Sequence, residues 1–317
     1  MTLKLLRNKS GLLFFFSLLV ILSCGSTKNE PAPVRLAYLQ SDLHHLPAFV
    51  ALEKGFYQEE GVTVEVAGIF KAGPEMMSGF AAGSLDVGYV GLAPALVAAA
   101  NKTARIKVLS QVNKNGSALV VRKDAPYRNI SDLNEKLIAI PGHATIQDFL
   151  MRKALIDAEI ENNRPTIITI KPPEMLAVLT SAQVDAFIAW EPYPSLAVTR
   201  ATGKIFRYSK DIWPDHPCCV LIVSTAFSEK YPAQVAALRK AHLKSIAYIE
   251  NNLQDAITIG VTFTGMEKRA VELALQNIDY DHTITTTQAV EYIDFLNQLG
   301  YTTIKQPQSF FQSLTIN

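Results

Sequence analysis

The chain is poor in charge imbalance, in cysteine and in long apolar runs. Its 30 lysines and arginines nearly cancel 29 aspartates and glutamates, leaving a formal net charge of +1. That balance excludes the broad basic surface that nucleic-acid binding needs. Only 3 cysteines occur in 317 residues, two of them adjacent, which argues against a disulfide framework. Beyond the N-terminal region no stretch reaches the roughly 18 uninterrupted apolar residues of a membrane span. There is no repeat of solenoid length and no low-complexity tract.

What is present begins at the N-terminus. Lys4, Arg7 and Lys9 form a basic segment ahead of the uncharged apolar run 12–22. That run is too short for an ordinary membrane helix and fits a secretory signal. It ends at Ile21-Leu22-Ser23-Cys24, which resembles a bacterial lipobox with Cys24 as the lipidated residue. Residues 1–23 are therefore expected to be a signal peptide and 24–33 a lipidated cysteine and polar tether. The expected location is extracytoplasmic, anchored by lipid to a bacterial membrane, in a periplasm or on the outer face of the cell membrane.

From Val34 onward strand and helix patterns alternate, which predicts an α/β protein with largely parallel sheets covered on both faces. Two segments share one design. Leu85-Asp86-Val87-Gly88-Tyr89-Val90-Gly91 and Val184-Asp185-Ala186-Phe187-Ile188-Ala189-Trp190-Glu191 each put an acid before a short apolar strand. Each ends near a proline that stops pairing or opens a helix. Ligands bind at the carboxyl ends of strands in open α/β sheets, so two such ends predict a cleft between two lobes. The expected division is 34–122 plus 215–317 for lobe one and 123–214 for lobe two, with a hinge at the crossings.

Several segments in register resemble one family. They are His44-His45-Leu46-Pro47, Gly55-Phe56-Tyr57, Ala82-Gly83-Ser84-Leu85-Asp86, Ile130-Ser131-Asp132-Leu133, Trp190-Glu191-Pro192 and His216-Pro217. Their order is similar to that of the aliphatic sulfonate, taurine and nitrate binding proteins and the pyrimidine-precursor branch beside them. The resemblance implies a type II periplasmic-binding-protein-like fold, two α/β lobes with a hinge and an interlobe cleft. It implies a monomeric solute receptor working with an ABC permease and its ATPase, with no catalytic residues.

Candidate ligand contacts follow from strand ends. Ser41, Asp42, His44 and His45 follow the first strand, and Lys71 and Gly73 form the turn after the second. Gly91 and Leu92 allow close backbone approach. Gly142, His143, Ala144 and Thr145 sit between a strand and a helix, where Gly142 permits an unusual angle and Thr145 caps, offering N–H groups to a ligand oxygen. Trp190 suits a pocket wall, and Glu191 either meets the ligand or bonds the hinge. His216 and Cys218 complete the set. The absence of arginine at this mouth weakens an oxyanion ligand and leaves a pyrimidine-type heterocycle equally open. No cofactor is expected, but His44, His45, His143, His216, Cys218 and Cys219 could converge on a transition metal or metal chelate. A pyrimidine-precursor synthase is a further alternative, disfavoured by export.

Overall fold

The computed structural model describes residues 32–160 and 164–316; the expected signal, Cys24 and most of the tether lie outside them. Eleven strands form two sheets among the described residues. The first contains β1 (Val34–Leu39), β2 (Val64–Phe70), β3 (Val87–Gly91), β4 (Ile106–Asn115), β10 (Pro217–Ser224) and β11 (Ile278–Tyr280), in the order β11-β4-β10-β3-β1-β2. The second contains β5 (Ser117–Arg122), β6 (Leu137–Ile140), β7 (Thr166–Thr169), β8 (Ala186–Trp190) and β9 (Gly203–Tyr208), in the order β7-β6-β8-β5-β9.

Both sheets are mixed, which corrects the expectation of largely parallel ones. β1 runs parallel to β2 and β3, and β6 parallel to β7 and β8. β10 is antiparallel to β3 and β4, and β5 is antiparallel to β8 and β9. Two of the reversed strands, β5 and β10, are those by which the chain enters a sheet from the other one; β11, antiparallel to β4, returns to its own sheet after the C-terminal helices. Gly116, at φ 87°, is the single residue between β4 and β5. The first crossing therefore precedes Ser117, and the strand ending at Arg122 lies in the second sheet, although the sequence reading placed it in lobe one. The return crossing runs through the short helix Ser209–Ile212 to β10.

The repeated acids secure strand register away from the cleft. Asp86 accepts the Arg35 backbone N–H at 3.0 Å and its guanidinium at 2.8 and 2.9 Å. Asp185 accepts the Leu137 backbone N–H at 3.0 Å, Arg122 at 3.1 Å and the Tyr127 hydroxyl at 3.1 Å. Each carboxylate satisfies a neighbouring strand's N–H where pairing begins, and the cation compensates its charge.

Helix Leu46–Glu53 leaves β1 and packs on the long C-terminal helices Pro232–Asn251 and Leu253–Thr264. One apolar cluster runs through both sheets, from Leu36 and Tyr89 to Phe149 and Phe187. Among the described residues no helix is long and apolar enough to cross a membrane.

Candidate functional site

The loops that follow the strands meet where the two sheets face each other. After β1, Asp42 caps the turn Leu43–His45 by accepting the His44 N–H at 2.9 Å. Both imidazoles are buried, and their tautomers follow from their backbone partners. His45 Nδ1 accepts the Leu39 N–H at 3.1 Å, so His45 carries its proton on Nε2. His44 Nε2 donates to the Gly116 carbonyl at 2.7 Å, so in the neutral ring Nδ1 presents a lone pair.

That nitrogen faces two sulfurs. His44 Nδ1 lies 3.6 Å from Cys218 Sγ and 3.6 Å from Cys219 Sγ, and the sulfurs are 3.9 Å apart. In a regular strand adjacent side chains point to opposite faces. Here the register of β10 against β4 shifts on both sides of Cys219, and this bulging brings both thiols to one side. Both thiols are free and buried.

The wall opposite comes from the second lobe. Thr145 accepts the Asp148 N–H at 3.2 Å and starts the helix Ile146–Asp157. Gln147 Nε2 donates to Ser117 Oγ at 2.9 Å, and Trp190 at the end of β8 is buried with its indole N–H lacking a hydrogen bond among the described residues. Leu39, Asp42, His44, Gly73, Gly91 and both cysteines meet Thr145, Ile146, Gln147 and Trp190 around a cavity of ≈ 20 Å³. That volume admits about one water-sized group. Gly91 allows the contact between jaws, because a Cβ there would lie 2.9 Å from Ile146 Cγ1. A larger open groove of ≈ 610 Å³ runs alongside, lined by Ser41, Tyr193 and Arg200 among others. The smaller cavity is the chemically furnished one, because the buried polar groups converge on it.

Burial sets the electrostatics. It pushes the Asp42 carboxyl up to about 7, against the opposing pull of His44. Burial opposes charge on His44, yet the Cys218 thiolate and Asp42 raise it to about 10. The Cys218 thiol ends well below its ordinary value, because the Cys219 hydrogen bond and His44 outweigh burial, while burial and Cys218 drive Cys219 up. His45 is held neutral by burial and by the neighbouring His44.

The remaining expected contacts lie elsewhere. Glu191 bonds the hinge: its N–H donates to the Gly116 carbonyl at 2.9 Å, its carbonyl accepts the Leu43 N–H at 3.1 Å, and its carboxyl accepts from Ser195 and Asn277 at 3.1 Å each. Burial raises that carboxyl to about 7 despite these bonds. The expected N–H cradle at residues 142–145 is spent internally, since the Ala144 N–H donates to Asp148 at 3.0 Å. The left-handed residue there is Ala144, at φ 59°, and not Gly142. His143 is 61% exposed beside Asp148 and does not join the other histidines. Lys71 is exposed, with its N–H on Glu75, and Leu92 is core. Ser41 donates to the Thr264 carbonyl at 2.8 Å. His216 alone stays nearby: it is buried with Nδ1 on the Trp213 carbonyl at 2.7 Å and helps to lower the Cys218 thiol, although it is not one of the three residues whose donor atoms close on one another. Sequence reasoning missed Gly116 and Gln147. A lone glycine between two apolar strands signals a turn, whereas a mid-helix glutamine carries no signal of its own.

Comparison with known proteins bears on the whole unit. The profile of the NMT1-like family matches residues 27–262. A Bacillus subtilis protein, named provisionally as an aliphatic sulfonates-binding protein, is 28% identical over 279 residues, 86% of this chain and 83% of its own. The taurine-binding periplasmic protein of Escherichia coli is 29% identical over 230 residues, 71% of this chain and 69% of its own. Among solved structures, a zinc-bound ligand-binding component of an ABC-type import system from Staphylococcus aureus superposes with a TM-score of 0.77 at 17% identity, covering 89% of this chain and 98% of that one. The periplasmic nitrate-binding protein of Synechocystis gives 0.78 at 16% identity, covering 90% and 86%. At such identities the structural likenesses speak for the fold, which is that of periplasmic binding proteins.

Proposed function

The chain belongs to the NMT1-like family, and on that premise we propose that it is the solute receptor of an ABC-type importer, closing two lobes over a small molecule and delivering it to a membrane permease. The observation that carries this reading is the cavity where Gly91 and the β10 cysteines of one lobe meet Ile146 and Trp190 of the other. Among the described residues two crossings connect the sheets, and one is a single glycine, so hinge opening exposes the buried groups and closure covers them. The names of the relatives, binding proteins for sulfonates and taurine, support the same class.

The cavity favours a solute other than a bare oxyanion. No lysine or arginine lines it among the described residues, and the Asp42 carboxyl does. Arg200, in the outer groove, is already paired with Glu267 at 2.8 Å. An anion here would meet the Asp42 carboxyl and the Cys218 thiolate, with His44 already paired to them and no further cation to offset the cost of burial. Lipidation at Cys24 would hold the receptor at the membrane beside its permease.

The test is a thermal-shift screen of residues 25–317 against alkanesulfonates, taurine, nitrate, pyrimidines and zinc chloride, with each compound assayed for chemical change. A saturable rise in Tm with the compound recovered intact supports a receptor. Turnover of any of them, or no shift with the whole panel, contradicts it.

A further inference from the structure

We propose that the cleft takes a thiophilic d10 cation, with zinc as its probe, held by His44 Nδ1, Cys218 Sγ and Cys219 Sγ. The inference deepens the receptor reading by naming the solute class.

Geometry carries it. The three donor atoms form a triangle with edges of 3.6, 3.6 and 3.9 Å. Tetrahedral zinc, at about 2.3 Å from sulfur and about 2.0 Å from nitrogen, sets sulfur–nitrogen edges of about 3.5 Å and a sulfur–sulfur edge of about 3.8 Å. The two triangles agree to about 0.1 Å, and the sulfurs are far beyond the ~2.05 Å of a disulfide. The register shifts around Cys219 turn both thiols to one side, as a chelating pair of adjacent cysteines requires.

The hydrogen bonds select these atoms over their neighbours. His44 donates through Nε2 to the Gly116 carbonyl, an outer bond of the kind that orients a ligating imidazole. A second group, Asp42, His45 and Cys219, also lies close together. His45 is excluded there, because its Nδ1 is occupied by the Leu39 N–H and its Nε2 keeps the proton. Asp42 Oδ1, 3.3 Å from His44 Nδ1, stands beside the triangle and offsets the cation's charge. Two thiolates and an imidazole suit a soft or borderline ion, whereas magnesium and calcium require a set of oxygens. Three protein donors leave a fourth position, and the adjoining ≈ 20 Å³ admits one small donor atom from water, from Asp42 or from a chelator brought with the ion.

The experiment is a cobalt(II) titration of residues 25–317 kept reduced, read by thiolate-to-cobalt charge-transfer absorption and by displacement with zinc. The expected result is a band that saturates at one equivalent and disappears when zinc is added. Cys218→Ser, Cys219→Ala and His44→Gln should each weaken binding beyond the roughly 10–100-fold that loss of an outer partner costs. His143→Ala should leave it unchanged, and circular dichroism confirms that each variant folds. Zinc added as its histidine complex runs beside free zinc; tighter binding of the complex assigns the fourth position to the chelator. No thiolate band at one equivalent, or a band that survives all three substitutions, overturns the proposal. Nitrate or a sulfonate raising Tm while cobalt gives no band discards the cation and keeps the receptor. A thiolate band with no change in scattering radius on loading discards the receptor and keeps the site.

Discussion

Replacing Gly116 by alanine tests whether the hinge and the His44 cluster are one device. Gly116 has φ 87°, and a Cβ there would overlap His44 Nε2, the atom that donates to the Gly116 carbonyl at 2.7 Å. Two costs follow. Left-handed backbone costs an L-residue roughly 1–2 kcal/mol. Displacing His44 breaks a buried hydrogen bond, worth about 1–3 kcal/mol when a partner is left unsatisfied. Gly83→Ala is the control, since Gly83 has φ 69° with nothing within 4 Å of the added Cβ, so only the backbone cost applies. Urea unfolding followed by circular dichroism should show Gly116→Ala losing about 2–5 kcal/mol, clearly more than Gly83→Ala. Solute affinity should fall only in the first. Equal stabilities within about 0.5 kcal/mol, or unchanged binding in Gly116→Ala, would mean that hinge and cluster are independent.

Other outcomes follow from the same geometry. Glu191 has a folded pKa of about 7 against an ordinary 4.5, so its contribution to stability is complete below 4.5 and is lost as pH rises to about 7. Glu191→Gln should therefore match the native protein near pH 5 and exceed it near pH 8 by up to about 3 kcal/mol, read as Tm against pH; a constant difference contradicts the assignment. Gly91→Val should hold the lobes apart, since even a Cβ would lie 2.9 Å from Ile146, and should weaken solute binding, read as a smaller ligand-induced rise in Tm. Asp185→Asn removes the charge that Arg122 and the Leu137 N–H share, and should cost about 1–3 kcal/mol without altering solute affinity. Lipidation at Cys24, proposed from the sequence alone, predicts that Cys24→Ser moves the protein from the membrane fraction to the soluble one and abolishes labelling by radioactive palmitate; unchanged fractionation contradicts it.

The alternation of elements was legible in the sequence because buried strands such as Ala186–Trp190 are short apolar runs bounded by acids and prolines. Strand direction was not, since β5 and β10 look like any buried strand and are antiparallel only because the chain has changed sheets. The lobe boundary was misplaced for the same reason: Gly116 interrupts what reads as one continuous β region. Asp42, His44, Gly91, Trp190 and Cys218 line the cavity, and their positions near strand ends were legible in the sequence. Glu191 and His143 were not separable from them in sequence, because a hinge hydrogen bond and an exposed ring depend on the partner lobe. The side-by-side thiols were invisible, because regular pleating would have set them on opposite faces.

The central claim is that a solute is captured between the lobes by closure about Gly116. Small-angle X-ray scattering of residues 25–317, alone and saturated with the compound that raises Tm most, measures that closure directly. The account predicts a smaller radius of gyration on loading and no change in the Gly91→Val variant. Equal radii for the free and saturated protein, with binding confirmed in the same sample, would contradict it.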